Sequence, residues 1–125
     1  MELLGKQKRI LVLDKDNRIL SVVDEIMNYG DWEVRTTYDP HAVFDIAKNY
    51  RPDLIILDYL LLDNDCALIC QDFKDDAEFK SVPIIIVTAY KTKKANADSY
   101  NCDALFIKPL DMEVLASRIE YLMAS

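Results

Sequence analysis

Glycine is scarce in this chain: two in 125 residues, with only four prolines. Long flexible linkers, collagen-like repeats and glycine-rich phosphate-cradling loops are therefore excluded. Histidine occurs once, at His41, so a histidine-based nucleophile pair or a multi-histidine metal site is excluded as well. The three cysteines, Cys66, Cys70 and Cys102, are odd in number and lack both CxxC and zinc-ligand spacing. They read as small apolar fillers in a reducing compartment. No apolar run approaches the roughly 20 residues of a membrane span. The start, MELLGKQKR, lacks the apolar core of a signal peptide. Positive charge is also short: 15 Lys and Arg stand against 22 Asp and Glu, for a formal net charge of −7. That balance disfavours direct nucleic-acid binding, which usually needs a basic face. These absences describe a cytoplasmic domain with no membrane attachment.

What the chain has is apolar content, 51% of its residues, enough for one domain with a full core. Its organising stretch is Arg51–Cys66, RPDLIILDYLLLDNDC. Leu54–Leu57 is a continuous apolar run, which reads as a strand buried on both faces and so as a central strand of a parallel sheet. It delivers a carboxylate, Asp58, at its carboxyl end. Ile10–Leu13 is a second such run, ending in Asp14-Lys15-Asp16, and Pro83–Val87 a third, ending in Thr88-Ala89. Ala104–Ile107 is a shorter one, ending in Lys108-Pro109, and Glu33–Thr37 alternates as a strand near the sheet edge.

Between the strands the spacing is helical. Asn17–Tyr29 reads as a helix capped by Asp16 or Asn17 and ended by Gly30 in the left-handed conformation. Asp39-Pro40 opens the next, with Asp39 as N-cap and Pro40 at the first helical position. Asp65 would cap a third, carrying Ala67, Leu68, Cys70 and Phe73. KDDAEFK, residues 74–80, reads as a solvated connection, Lys91–Tyr100 as a polar helix, and Asp111 as the cap of a last helix buried along Val114, Leu115, Ile119 and Leu122. Five strands alternating with five helices predict an α/β domain, residues 1–125, after a short tail at 1–7. Its parallel sheet would carry helices on both faces.

If the carboxyl ends of the strands align, Asp14, Asp16, Asp58, Thr88 and Lys108 converge on one crevice, where ligands collect in open α/β sheets. Each has an ordinary reading: helix cap, β-strand residue, surface lysine. Together they form an inventory. Carboxylates hold a hard cation such as magnesium. A hydroxyl and an ammonium are donors for phosphoryl oxygens. The set suits a carboxylate that accepts a phosphoryl group.

The motifs ILVLDKD at Ile10–Asp16, PDLIILD at Pro52–Asp58, PIIIVTA at Pro83–Ala89 and KP at Lys108-Pro109 resemble those of the receiver domains of two-component response regulators, similar to the chemotaxis regulator. The resemblance covers residues 8–123. It implies a doubly wound, flavodoxin-like (βα)5 fold of strand order 2-1-3-4-5. By that resemblance Asp58 is the phosphoacceptor, charged from a phosphohistidine on a sensor histidine kinase or a phosphotransfer protein. Thr88, Ala89 and Lys108 would contact the phosphoryl group. Asp14, Asp58 and the backbone carbonyl of Leu60 would ligate Mg2+, with Asp16 as a further acid that could reach inward. The Lys108–Pro109 peptide would be cis. Thr88 and Leu105 occupy the switch positions, and the Lys91–Met123 face, with Lys91, Lys93 and Lys94 as a small cationic patch, would meet a downstream protein partner or a fused output domain. The domain would undergo phosphorylation and autodephosphorylation without acting as an enzyme on other substrates.

The sequence departs from the family pattern at several positions. Lys15 stands where the family carries a second metal-binding acid. An ammonium about 4 Å from Asp58 would be worth on the order of 4 kcal/mol at an effective dielectric of about 20, before desolvation. Lys15 would thereby substitute in part for the metal charge. Leu62, Asp63 and Cys66 replace the usual Pro and Gly of the loop after Asp58. Leu105, beside Phe106, replaces the family's switch aromatic. Tyr59 and Tyr90 would flank the pocket and screen a phosphoryl group from water, giving slow autodephosphorylation. Two alternatives remain open at this stage. One is a receiver fold that takes no phosphate and serves as an interaction module, with Lys15 in the metal's place. The other is a haloacid-dehalogenase-type phosphatase using Asp14-Lys15-Asp16 as its DxD motif.

Overall fold

The structure, a computed structural model, describes residues 7–14, 30–59, 64–89 and 102–124. Five strands are formed: β1 (Lys8–Asp14), β2 (Trp32–Thr37), β3 (Leu54–Tyr59), β4 (Ile84–Thr88) and β5 (Ala104–Ile107). All pair in parallel, in the order β2-β1-β3-β4-β5. Three helices are described: α1 (Val43–Tyr50), α2 (Asn64–Asp75) and α3 (Met112–Ala124). The helices expected at 17–29 and 91–100 lie outside the described residues, as do Lys15, Asp16, Leu60, Leu62, Asp63 and Tyr90.

The apolar runs of β1, β3 and β4 are buried at every central position, as strands covered on both faces must be. Alternation sorts them into two cores. Leu11, Leu13, Ile55, Leu57, Ile84 and Ile86 pack with α1 and α2. Ile10, Val12, Leu54, Ile56, Ile85 and Val87 pack with α3. Edge strand β2 alternates between partly buried and exposed positions up to the buried Thr37, the pattern of a strand with one wet face.

Two aspartates that the sequence did not single out anchor the strand starts. Asp53 accepts the Arg9 N–H at 2.8 Å while its own N–H donates to the Arg9 carbonyl at 2.7 Å. Asp103 repeats the device one side over: its carboxylate accepts the Ile84 N–H at 2.7 Å, and its N–H donates to the Ile84 carbonyl at 2.8 Å. Each satisfies backbone groups at a sheet end that would otherwise lack partners.

Several local expectations are corrected. α1 starts at Val43, not at Pro40. Asp39 accepts the His41 N–H in a turn that precedes the helix, and Ala42 stands at the N-cap without a side-chain bond. Arg51 ends α1 in the left-handed region, φ 57°. Gly30 is not left-handed; a Cβ there would meet the Trp32 ring at 2.5 Å, so the absence of a side chain makes room for the indole. α2 begins at Asn64, which leaves Asp65 inside the helix rather than at its cap. Leu68, assigned to the buried face of α2, is 60% exposed, whereas Phe79 in the charged 74–80 segment is buried. Phe79 completes a triangle with Phe44 and Phe73, centroids 5.2 to 5.6 Å apart, and meets both of those rings edge to face. Asp111 caps α3 as expected, accepting the Glu113 and Val114 N–H groups. The buried stripe of α3, however, is Met112, Leu115, Ala116, Ile119 and Met123; Val114 is 51% exposed and Leu122 only partly covered. Short-range periodicity places the helix but not its rotation, which the sheet beneath it sets.

Phe73 is fully buried and meets both other rings of the triangle. Phe73→Ala should cost about 3–5 kcal/mol, read as a lowered midpoint in urea unfolding with an unchanged slope.

Candidate functional site

At the carboxyl ends of the two central strands, the β1–β3 ladder pairs Asp14 directly with Asp58. Neighbouring strands lie about 4.8 Å apart, so the two carboxylates sit side by side on the same face, that of α3. Both are buried, Asp58 to 2% exposure. Two like charges out of water are costly unless a cation accompanies them. Lys108 supplies one. It follows β5 directly, and its N–H donates to the Thr88 carbonyl at 2.8 Å, extending the ladder one step. Its side chain then reaches across, and Nζ lies 3.0 Å from Asp58 Oδ1 and 3.1 Å from Oδ2, astride the carboxylate. The Lys108–Pro109 peptide that follows is cis, as expected.

Thr88 is fully buried at the end of β4. The β3–β4 register pairs it with Tyr59, and Asp58 with Val87. Strand alternation therefore starts the Thr88 side chain on the face opposite to that of Asp58, one step further along the strand. β5 continues both columns. Leu105 follows Ile86 and Thr88 on one face and packs with the α1–α2 core. Phe106 follows Val87 and Asp58 on the other and packs with the α3 core. Ala89 comes directly after Thr88. Tyr59 is fully buried in the α1–α2 core and does not flank the Asp58 face as expected. An alternating strand sends the residue after Asp58 away from it.

The donor set fits a hard cation in part. Two buried carboxylates in register offer oxygen ligands of the kind magnesium takes. Among the described residues no group of three His, Cys, Asp or Glu is arranged to hold a metal, so the two carboxylates alone do not make a full cage. Magnesium often keeps several waters and needs only one or two carboxylates. Lys15, Asp16 and Leu60, the remaining residues assigned to this role, lie outside the described residues. No described helix is long and apolar enough to cross a membrane.

The sequence brings Asp14 and Asp58 to one crevice, and the β1–β3 register makes them direct neighbours. It misses the split of Thr88 and Asp58 between faces, which needs the β3–β4 offset that no run of residues encodes.

Residues 10–120 match the model of the response regulator receiver domain. The chain is 30% identical over 118 residues to the response regulator ArlR of Staphylococcus aureus, a match covering 92% of this chain and 52% of that protein. It thus spans about half the length of the curated relatives it matches. Among solved structures it resembles a Chloroflexus aurantiacus protein described as a response regulator, with a TM-score of 0.83, 21% identity and coverage of 96% of this chain and 100% of that one. It also resembles a CheY-like receiver domain protein of Methanospirillum hungatei, with a TM-score of 0.78, 21% identity and 95% coverage of both chains. These neighbours share its fold, and nothing in the comparisons favours the phosphatase reading. The observed strand order is the one that the receiver resemblance implied. This chain belongs to the response regulator receiver domain family of two-component systems, a family of signalling domains rather than enzymes acting on other substrates.

Proposed function

We propose that Asp58 is the phosphoacceptor of this receiver and that its acyl phosphate is the signal. The observation that carries the reading is the Lys108 ammonium astride the buried Asp58 carboxylate, with Asp14 in register beside it. A carboxylate oxygen of Asp58 attacks the phosphorus of a phosphohistidine on a sensor kinase or phosphotransfer protein. The P–N bond breaks, and the histidine nitrogen leaves with the electron pair and takes a proton. Lys108 already holds the nucleophile in place, and its ammonium can pass to a phosphoryl oxygen as the carboxylate becomes an anhydride. The Thr88 hydroxyl and the Ala89 N–H are the donors for the remaining oxygens. Asp14 and Asp58, with the Leu60 carbonyl, would hold a magnesium ion, which when bound neutralises charge on the transferring group.

The product adds roughly −1.5 to −2 charge at one strand end. Thr88 starts on the other face from Asp58, so turning toward a phosphoryl group would draw it away from the column it shares with Leu105. That differential contact is the means by which phosphorylation would shift the population of two arrangements. Leu105 is the residue that would follow, an aliphatic side chain where the family pattern has an aromatic. The output face would be residues 91–123, read by a protein partner or by a domain fused to this one.

Three outcomes check the reading. Acetyl phosphate with magnesium should add one phosphoryl group to the intact protein, observed by mass spectrometry, and none to Asp58→Asn. No uptake by the wild type under any magnesium concentration would instead favour an interaction module that takes no phosphate. Lys15→Asp should raise magnesium affinity, followed by calorimetry; unchanged affinity and phosphorylation rate would remove Lys15 from the site. Lys108→Met, which removes the ammonium astride the buried Asp58 carboxylate, should lower stability by roughly 3 kcal/mol in chemical denaturation.

A further inference from the structure

The proposed phosphoryl chemistry engages the ends of the strands and makes no use of an apolar groove between α1 and α2. The groove lies on the face of the sheet opposite α3. A cavity of about 260 Å³ opens there. Pro40, Val43 and Phe44 form one wall, and Leu68, Ile69 and Phe73 the other. Phe44 and Phe73 join the walls, ring centroids 5.2 Å apart. Toward the carboxyl ends of both helices, Lys48 stands 5.2 Å from the centre of the Phe44 ring and pairs with Asp76 at 3.8 Å, which ties one wall to the other. Leu68 is 60% exposed. A single exposed leucine is ordinary on a protein surface. Leu68 differs because it lines the cavity and continues its apolar wall out to solvent.

Size and charge select the occupant. Sites for whole small molecules run to roughly 300–1,000 Å³. This cavity is smaller, and a groove between two helices suits the anchoring side chains of a third, spaced i, i+3 or i+4, and i+7. The segments that form the walls are acidic. Residues 39–50 carry Asp39 and Asp45 against Lys48. Residues 64–80 carry Asp65, Asp72, Asp75, Asp76 and Glu78 against Lys74 and Lys80. Together they hold −4 of the chain's formal net charge of −7. Two of the three cations are already engaged, Lys48 with Asp76 and Lys74 with Asp103. Asp72 lines the cavity, and no cation is paired with it among the described residues. A second copy of this chain would set another −7 against that surface. Opposite charges across an interface steer association, and like charges oppose it. The complementary occupant is therefore cationic.

We propose that the α1–α2 groove docks an amphipathic helix of a cationic partner protein. Apolar side chains on one stripe of that helix enter the cavity beside Phe44, Leu68 and Ile69. A lysine or arginine flanking the stripe pairs with Asp72. Leu68 is the apolar anchor of the contact, because docking removes its exposed side chain from water. Asp72 sets the charge that the partner must bring. α3 lies on the other side of the sheet, so docking here leaves it uncovered.

The test titrates the isotope-labelled protein with a synthetic helical peptide and follows backbone amide shifts by NMR. The peptide carries leucine at i, i+3 and i+7 and lysine on both flanks. The expected shifts cluster on residues 41–44 and 68–73. A peptide with the same leucines and glutamate flanks should bind at least about tenfold more weakly. Leu68→Ser should weaken binding of the lysine peptide about tenfold. Asp72→Asn should weaken it about threefold and reduce its salt dependence. Both side chains are exposed, so an unchanged urea midpoint verifies that each variant is folded. Shifts scattered over the rest of the acidic surface, equal binding of the glutamate peptide, an unaffected Leu68→Ser variant, or no binding of the lysine peptide would each overturn the proposal. A wild-type dimer that Leu68→Ser dissociates would overturn it too, by assigning the groove to a second copy. The titration makes no use of Asp58, so it succeeds or fails independently of the phosphoacceptor reading.

Discussion

Two carboxylates placed in register at the buried end of a parallel sheet are the constraint on which the rest of this molecule depends. Asp14 and Asp58 face the same way because β1 and β3 pair without offset from Ile10 and Leu54 onward. Their mutual repulsion in a water-poor site would work against the sheet that creates it. Lys108 offsets that repulsion from the far side of β4, and it can do so because the ladder runs on past β5 through its own N–H to the Thr88 carbonyl. The charge arrangement therefore links the first strand to the last, and a change at Asp58 is felt at Lys108 directly.

Holding that geometry requires strands that do not slip. The isoleucine- and leucine-rich centres of β1, β3 and β4 are buried on both faces, so moving any of them by one residue would exchange its two sets of core contacts and bring a charged terminal residue into the core. At the opposite end of the sheet, Asp53 and Asp103 bracket the first residues of their neighbours with paired backbone bonds and fix the register from below. Lys74 connects Asp103 to α2, so the carboxyl end of that helix is tied to the residue that precedes β5.

Strand register starts Asp58 and Thr88 on opposite faces of the ladder, Thr88 in the column of Ile86 and Leu105. Leu105 fills partly buried space against the α1–α2 core.

The sequence by itself determined the strands, the fold class and which polar residues stand at the strand ends. Unbroken apolar runs followed by Asp, Thr or Lys are local signals, and burial on both faces leaves no other element for them to form. It also determined the Asp111 cap, because a cap depends only on a few neighbouring residues. Tertiary structure alone decided the rest. It chose which side of α3 is buried, sent Phe79 from a charged segment into an aromatic triangle, set the start of α1 past Pro40, and turned Tyr59 away from Asp58. Each of these depends on the offset between elements distant in sequence, which packing of the whole core settles and no local pattern carries.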